Sequence, residues 1–196
     1  MKTYSKKQID EVANELKSGK IVALPTETVY GLAVTANSIN AIKNLSLLKN
    51  RQANKIYALM LADVKQMPDF VVVDKFAQKI IREYLPDALT VILPKSQSCK
   101  NEYFNNYSTI GVRVPDDDFL QRLSAESGPI IITSANMSGE TPCQTSDEVI
   151  KKMPKVDVVV KGKAGDCLPT TVVELKNGKI IVHRKGELEL AGHIDK

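Results

Sequence analysis

Histidine and cysteine are scarce in this chain of 196 residues. The histidines are His183 and His193 alone, so a histidine metal cage or a Ser-His-Asp triad is not expected. Cys99, Cys143 and Cys167 are odd in number and far apart, with neither zinc-site spacing nor a disulfide framework. No run approaches the roughly 18 apolar residues that cross a membrane. Met1-Lys2-Thr3-Tyr4-Ser5 is followed by no hydrophobic region and does not read as a secretory signal, so the expected location is the cytoplasm. Repeats, low-complexity tracts and linkers are also missing. The chain therefore reads as one domain over 1–196, with a motif-bearing core at about 5–186 and a short C-terminal tail. Its apolar content of 43% is that of a globular protein. The net charge of +4 is mild, and suits an anionic small-molecule substrate or weak RNA contact.

What is present centres on Leu24-Pro25-Thr26-Glu27-Thr28-Val29-Tyr30-Gly31-Leu32. Ile21 to Leu24 is an apolar run of strand type, and Pro25 ends it because proline cannot donate to a ladder. Two hydroxyls and a carboxylate follow within three residues. Local chemistry leaves two readings, a polar hairpin turn or a ligand site. Gly31 leans toward the second, since glycine in a strand pattern can mark close backbone approach.

Ser5 and Gln8 have capping-box spacing ahead of a helix with Ile9, Val12, Ala13 and Leu16 on one face, stopped by Gly19. Val29 to Ala36 reads as a second strand. Ser38 caps a helix with Ala41, Ile42, Leu45 and Leu48 inward, which runs into Lys49, Arg51 and Lys55. Those cations are either a solvated helix end, favoured by the macrodipole, or a phosphate clamp. Strands are expected at Ile56 to Leu61, Phe70 to Val73, Leu89 to Leu93, Thr109 to Pro115, Pro129 to Ile132, Val156 to Val160 and Thr170 to Glu174. Asn177-Gly178 then turns a hairpin into Ile180 to Arg184. Helices are expected after Asp74, after Asp116 or Asp117, and after a capping Ser146. Cys99 to Ser108 reads as a surface loop. Arg113 within an apolar strand needs a partner. One mixed sheet covered by helices, an α+β arrangement with α/β character, is the simplest architecture.

Taken together the segments resemble the YrdC family of threonylcarbamoyl-AMP synthases, in its short form. The pieces stand in family order: Pro25 to Leu32, Lys49-Asn50-Arg51, Thr109 to Pro115, Thr133-Ser134-Ala135-Asn136-Met137-Ser138-Gly139, Thr170 to Val173, and His183-Arg184-Lys185-Gly186. The resemblance implies a YrdC/RibB-type twisted mixed sheet flanked by helices and enclosing an electropositive cavity. It implies a nucleotidyltransferase that makes threonylcarbamoyl-AMP from L-threonine, bicarbonate or carbon dioxide, and ATP, for threonylcarbamoyladenosine in tRNA. The implied partners are these substrates, with tRNA or tRNA-modification proteins downstream. Thr28, Arg113 and Thr170 would hold the threonine, with Arg113 on its carboxylate. Lys49, Arg51, Lys55, Thr109, Ser134, Asn136 and Arg184 would form the ATP site, Arg51 and Lys55 acting catalytically. Mg2+ would enter on the ATP phosphates rather than in a protein cage.

The chain departs from the family pattern at Gln52, at Ile56-Tyr57, at Met60 and at Asp87-Ala88, where the family has proline, Pro-Leu, in longer relatives histidine, and Gly-Pro. The alternatives are a non-catalytic RNA-binding module and a carbamoyl-transfer domain of the hydrogenase-maturation type. Aromatic content of only 5%, with no base-stacking strand motif, argues against the first.

Overall fold

The computed structural model describes residues 1–51, 56–165 and 168–190. Its strands are β1 (Lys2–Tyr4), β2 (Val22–Leu24), β3 (Gly31–Thr35), β4 (Ala58–Met60), β5 (Leu89–Pro94), β6 (Thr109–Arg113), β7 (Ile130–Ser134), β8 (Val158–Val160), β9 (Thr171–Lys176) and β10 (Lys179–Arg184). The α-helices are α1 (Ile9–Lys17), α2 (Ile39–Leu48), α3 (Lys75–Tyr84), α4 (Asp118–Ser127) and α5 (Ser146–Lys152). All ten strands join one sheet in the order β1-β8-β2-β3-β7-β4-β6-β5-β9-β10. Pairing is mixed: β1–β8, β2–β8, β4–β6 and β5–β9 are parallel, and the other pairs are antiparallel. The expected mixed sheet flanked by helices is the architecture found.

Side chains alternate across a strand, so each strand feeds two faces. One face carries Leu32, Val34, Leu59, Val91, Ile110, Val112, Ile131 and Val173 into the larger core with Ala41, Ile42, Leu45, Ala77 and Ile80 of α2 and α3. The other face carries Val22, Leu24, Ala33, Met60, Ile130, Ile132, Val158 and Val160 under α1 and α4. These two helices cover only the β8-β2-β3-β7-β4 part of that face. Toward β6, β5 and β9 the same face presents Thr109, Gly111, Arg113, Thr90, Ile92 and Val172, which line a cavity instead.

The helices form where the caps were legible. Ser38, Asp74 and Asp117 each accept a hydrogen bond from the first turn of α2, α3 and α4. Thr145, one residue before the expected Ser146, caps α5. Gln8 turns back to the Ser5 amide at 3.0 Å, so half of the expected capping box forms. The Asn177-Gly178 turn has both residues at positive φ, as a two-residue hairpin requires.

Two expectations differ from the structure. Phe70 to Val73 is no strand: only Val71 bridges to Lys95, after a 3-10 turn over Val64–Asp69 that leaves no room for a ladder. The N-terminal strand β1 was not foreseen, because Lys2-Thr3-Tyr4 has no apolar signal and is held by parallel pairing to β8.

Gly186 backs the Pro169-Thr170 part of the cavity wall. A Cβ built there would stand 2.0 Å from the Pro169 carbonyl oxygen and 2.5 Å from the Thr170 carbonyl carbon. Backbone atoms cannot stand that close, so Gly186→Ala must push the Pro169-Thr170 wall aside. The expected cost is that of overpacking, about 1–3 kcal/mol, read as a lower urea midpoint at unchanged slope.

Candidate active site

The cavity has a volume of about 340 Å³ and is walled by strand ends and connections from most of the sheet. Its charged lining is cationic: Arg51, Arg113 and Arg184. Hydroxyls of Thr26, Thr28, Thr90, Thr109, Thr133, Ser134 and Thr170 fill the spaces between them. A concave, largely preformed space with few convergent polar groups is the form of a small-molecule site.

Each cation reaches the cavity by a different device. Arg51 follows the end of α2. Asn50 is at φ 48°, its amide bonds to the Leu47 carbonyl at 3.2 Å, and the Arg51 amide bonds to the Ser46 carbonyl at 3.0 Å. That is a Schellman end with asparagine in the left-handed position. It reverses the chain so that neighbouring cations diverge. Lys49 turns inward, while the Arg51 guanidinium rests 4.4 Å over the Tyr57 ring and donates to the Ile56 carbonyl at 2.9 Å.

Arg113 closes the cavity face of β6, two residues beyond Gly111. It is buried, and its Nη2 donates to Glu27 Oε1 in an ion pair. Arg184 ends β10, where the pairing with β9 slips between Val182 and Arg184. A bulge re-aims a side chain, and here Arg184 donates through Nε and Nη2 to the Thr170 carbonyl and through Nη2 to the Thr170 hydroxyl, at 2.8–3.0 Å. Burial, and then the nearby Arg113 charge, lowers the proton affinity of Arg184, although a guanidinium stays charged throughout.

The Thr26–Tyr30 turn is fixed from within. Thr26 Oγ1 gives its proton to the Val29 carbonyl at 2.6 Å and accepts the Thr28 amide at 3.2 Å. The 3.0 Å contact between the two hydroxyls must then be donated by Thr28. Its remaining lone pairs make Thr28 an acceptor toward the cavity. A backbone clasp ties this turn to the loop after β7: Tyr30 N to Cys143 O, Cys143 N to Ala135 O and Ala135 N to Tyr30 O, at 2.6–2.9 Å.

Two expected ATP ligands have other partners. The Lys49 ammonium is fully buried and donates to the Ser134 carbonyl, the Asn136 carbonyl at 2.7 Å and Asn136 Oδ1 at 3.2 Å. An ammonium has three protons, and all three are used. Asn136 is equally occupied: Oδ1 also accepts the Ser134 hydroxyl at 2.6 Å, and Nδ2 donates to the Met137 and Glu140 carbonyls. Neither side chain lines the cavity. Both brace the Ser134 loop, so the part they take in shaping the expected ATP site is through Ser134, which does line the cavity. Thr28, Arg51, Thr109, Arg113, Ser134, Thr170 and Arg184 are brought together around one space. Lys55 and Cys167 lie outside the described residues.

The sequence model of the Sua5/YciO/YrdC family, described as telomere recombination, matches residues 14–186. The chain belongs to this family. Among relatives, a Methanocaldococcus jannaschii protein provisionally named a threonylcarbamoyl-AMP synthase is 33% identical over 94% of this chain and 88% of its own. The threonylcarbamoyl-AMP synthase of Homo sapiens is 30% identical over 88% of this chain and 64% of its own. The crystal structure of P. abyssi Sua5 complexed with L-threonine superposes with a TM-score of 0.88 at 27% identity, covering 98% of this chain and 61% of that one. The chain thus spans about three fifths of the human and P. abyssi proteins.

Within this Sua5/YciO/YrdC domain, the residues that sequence reasoning passed over are Glu27, Thr90, Thr133 and Tyr57. Glu27 stood inside a quoted motif, and the demand that Arg113 have a partner was the signal for it. Thr90 was readable only once β5 was registered against β6, which sets Ile92 opposite Gly111 on the cavity side. Met60, left unassigned, is buried under α4 with Leu120 and Leu123 and has no place in the cavity wall.

Lys49 yields a test of the brace. Lys49→Met keeps bulk and leaves buried carbonyl oxygens without a donor, an expected loss of about 1–3 kcal/mol on urea denaturation. Burial, and then the Arg51 charge, pushes the Lys49 ammonium down to about 8 from 10.5. Between those values the unfolded chain holds more protons, so this residue's contribution to stability rises with pH across that window and is at its lowest below it. Wild type should gain on Lys49→Met over the same window, measured by denaturation at its two ends.

Proposed function

We propose that this chain is a threonylcarbamoyl-AMP synthase, a nucleotidyltransferase that joins L-threonine, bicarbonate or carbon dioxide, and ATP, with release of pyrophosphate. The observation that carries the reading is one concave pocket where Arg51, Arg113 and Arg184 converge with the hydroxyls of Thr28, Thr109, Ser134 and Thr170. The names of the relatives support it. A space of this size takes small molecules, whereas an RNA-binding module needs an open stacking face. The product is the donor for threonylcarbamoyladenosine in tRNA, so the partner class downstream is the tRNA-modification machinery.

In this reading Arg113 takes the threonine carboxylate by a charge-assisted hydrogen bond from the guanidinium arm that Glu27 leaves free. Thr28, its proton already committed, accepts from the threonine amine or hydroxyl, and Thr170 stands opposite. Arg51, Thr109, Ser134 and Arg184 face the nucleotide, and Lys55 keeps the role that the family resemblance gives it. The threonine amine bonds to the carbon of carbon dioxide and releases a proton to give an N-carboxylate; from bicarbonate the same carboxylate forms with loss of water. An oxygen of the N-carboxylate bonds to the α-phosphorus, the bond from that phosphorus to the bridging oxygen breaks, and pyrophosphate leaves with the electron pair. The nucleophile is already anionic, so this step needs no histidine base. Catalysis rests on positioning and on fixed positive charge around the phosphates.

Magnesium is the metal such a reaction calls for. The described residues hold no group of three or more His, Cys, Asp or Glu side chains placed for a metal. Glu27 is committed to Arg113. That donor set fits an ion held by phosphate oxygens and water, which lowers the charge that the guanidiniums must meet.

The deciding assay is pyrophosphate release that requires both threonine and bicarbonate. Release without threonine would favour carbamoyl transfer, and no turnover would favour a binding module. In a folded Arg113→Ala protein, threonine affinity should fall about tenfold or more, the worth of a charge-assisted contact at roughly 1.5–3 kcal/mol, while ATP affinity holds. Unchanged threonine affinity by calorimetry would remove Arg113 from the substrate. Arg51→Ala should slow turnover at saturating threonine by roughly a hundredfold. Arg51→Lys should recover part of that, since ammonium keeps the charge and loses the planar fork. Near wild-type kinetics in Arg51→Ala would leave this arginine as a solvated helix end.

A further inference from the structure

The ion pair between Glu27 and Arg113 is unexplained by the reaction as drawn. Both side chains are largely buried, 17% and 7% exposed. They meet through one contact, Nη2 to Oε1. The Arg113 Nε and the Glu27 Oε2 are buried with no hydrogen-bond partner. A half-satisfied buried ion pair is a poor stabiliser, and apolar residues of like volume would serve the fold as well or better. Its presence therefore asks for a reason in the cavity.

Three observations supply one. Arg113 lines the cavity and Glu27 does not, so the carboxylate holds the guanidinium from outside the ligand space. Arg113 Nη1 has no hydrogen-bond partner among the described residues, which leaves that arm for a ligand. Glu27 itself is anchored by the self-bonded Thr26–Thr28 turn, whose Thr26 carbonyl also accepts the Gly165 amide at 3.0 Å. The turn that presents Thr28 thus also sets the angle of Arg113, although β7 and β4 lie between β3 and β6 in the sheet.

We propose that Glu27 is a positioning residue for Arg113. It holds the guanidinium by Nη2 so that the other arm meets the carboxylate of the amino-acid substrate, and it supplies the countercharge that lets Arg113 share the cavity with Arg184 and Arg51. The assignment rests on the reading of Arg113 as the carboxylate ligand. It adds a selectivity: disturbing Glu27 weakens the amino acid and spares the nucleotide.

The experiment is calorimetry with L-threonine and, separately, with ATP, together with steady-state pyrophosphate release. The proteins are wild type, Glu27→Gln, Glu27→Ala, Arg113→Ala and the Glu27→Ala/Arg113→Ala double variant. Glu27→Gln keeps the volume and an acceptor for Nη2, and guards against loss of fold. Glu27→Ala should lose about tenfold in threonine affinity, the scale of a charge-assisted contact. Its threonine KM should rise more than its kcat falls, with ATP affinity held within about threefold. Glu27→Gln should fall between Glu27→Ala and wild type. In the Arg113→Ala background, Glu27→Ala should add nothing, because a residue acting only through Arg113 has nothing left to position. Threonine binding by both Glu27 variants equal to or tighter than wild type would overturn the assignment and mark Glu27 as a competitor for Arg113. Additive losses in the double variant would also overturn it. Wild type that binds no threonine would sink the proposed function and this assignment together, and so is told apart from either result.

Discussion

Everything in this protein follows from one face of one sheet being covered only halfway. Strand side chains must alternate, so ten strands in one sheet create two continuous faces that both need cover. The first face is sealed by α2 and α3. The second is sealed by α1 and α4 from β8 to β4, and beyond them the covering helices end. A sheet cannot leave such a face apolar and open. From β6 to β9 its positions become Thr109, Gly111, Arg113, Thr90 and Val172, and the neighbouring loops wall them into a cavity. The site is the uncovered continuation of the core, so strand faces supply its floor and strand ends and turns its rim.

Gathering three guanidiniums in one partly dry space costs electrostatic energy unless each is held from its outer side. The structure holds every one. Arg51 rests on the Ile56 carbonyl and the Tyr57 ring, Arg113 on Glu27, and Arg184 on the carbonyl and hydroxyl of Thr170. Lys49 is the extreme case, with every proton spent on the Ser134 loop. Donors fixed in advance need not reorganise when an anion arrives, and preorganisation of this kind is the main source of charge stabilisation in enzymes. Lys49 and Arg51 stand two residues apart in one motif, yet one braces the Ser134 loop and the other lines the cavity. The left-handed Asn50 between them separates the roles.

Local signals in the sequence carried the helices well. Ser38, Asp74 and Asp117 announced their caps, and the apolar faces of α1 to α4 are the buried ones. Strand alternation could not say which face of β6 meets α2 and α3 and which meets a ligand, because that depends on how far α1 and α4 reach. Composition and spacing alone left the Thr26–Thr28 segment open between turn and site, and the motif order tipped it. The motif match ranked Arg51 above Lys49, but neither route showed that Lys49 is spent on the Ser134 loop or found Glu27. Those roles depend on contacts across 85 to 87 residues of chain, Lys49 with Ser134 and Asn136 and Arg113 with Glu27. Phe70 to Val73 misled because β-branched residues read as strand, while the sheet has no free partner for them beyond the single bridge to Lys95.

The departures from the family pattern also find a physical place. The family resemblance sets Pro-Leu where this chain has Ile56-Tyr57, directly after the basic segment. A leucine in that position offers Arg51 only apolar contact. Tyr57 offers a ring face at 4.4 Å, and its hydroxyl is held at 3.1 Å by Ser46 on α2, the residue whose carbonyl also receives the Arg51 amide. Ser46 thus fixes both the turn that directs Arg51 and the ring beneath it. A cation over an aromatic face is worth about 0.5–2 kcal/mol depending on desolvation. That is comparable with the rigidity that a well-placed proline supplies, at about 0.4–1 kcal/mol. The same arginine can therefore be held in place either by a stiff backbone or by an aromatic platform tied to the preceding helix, and this chain carries the second.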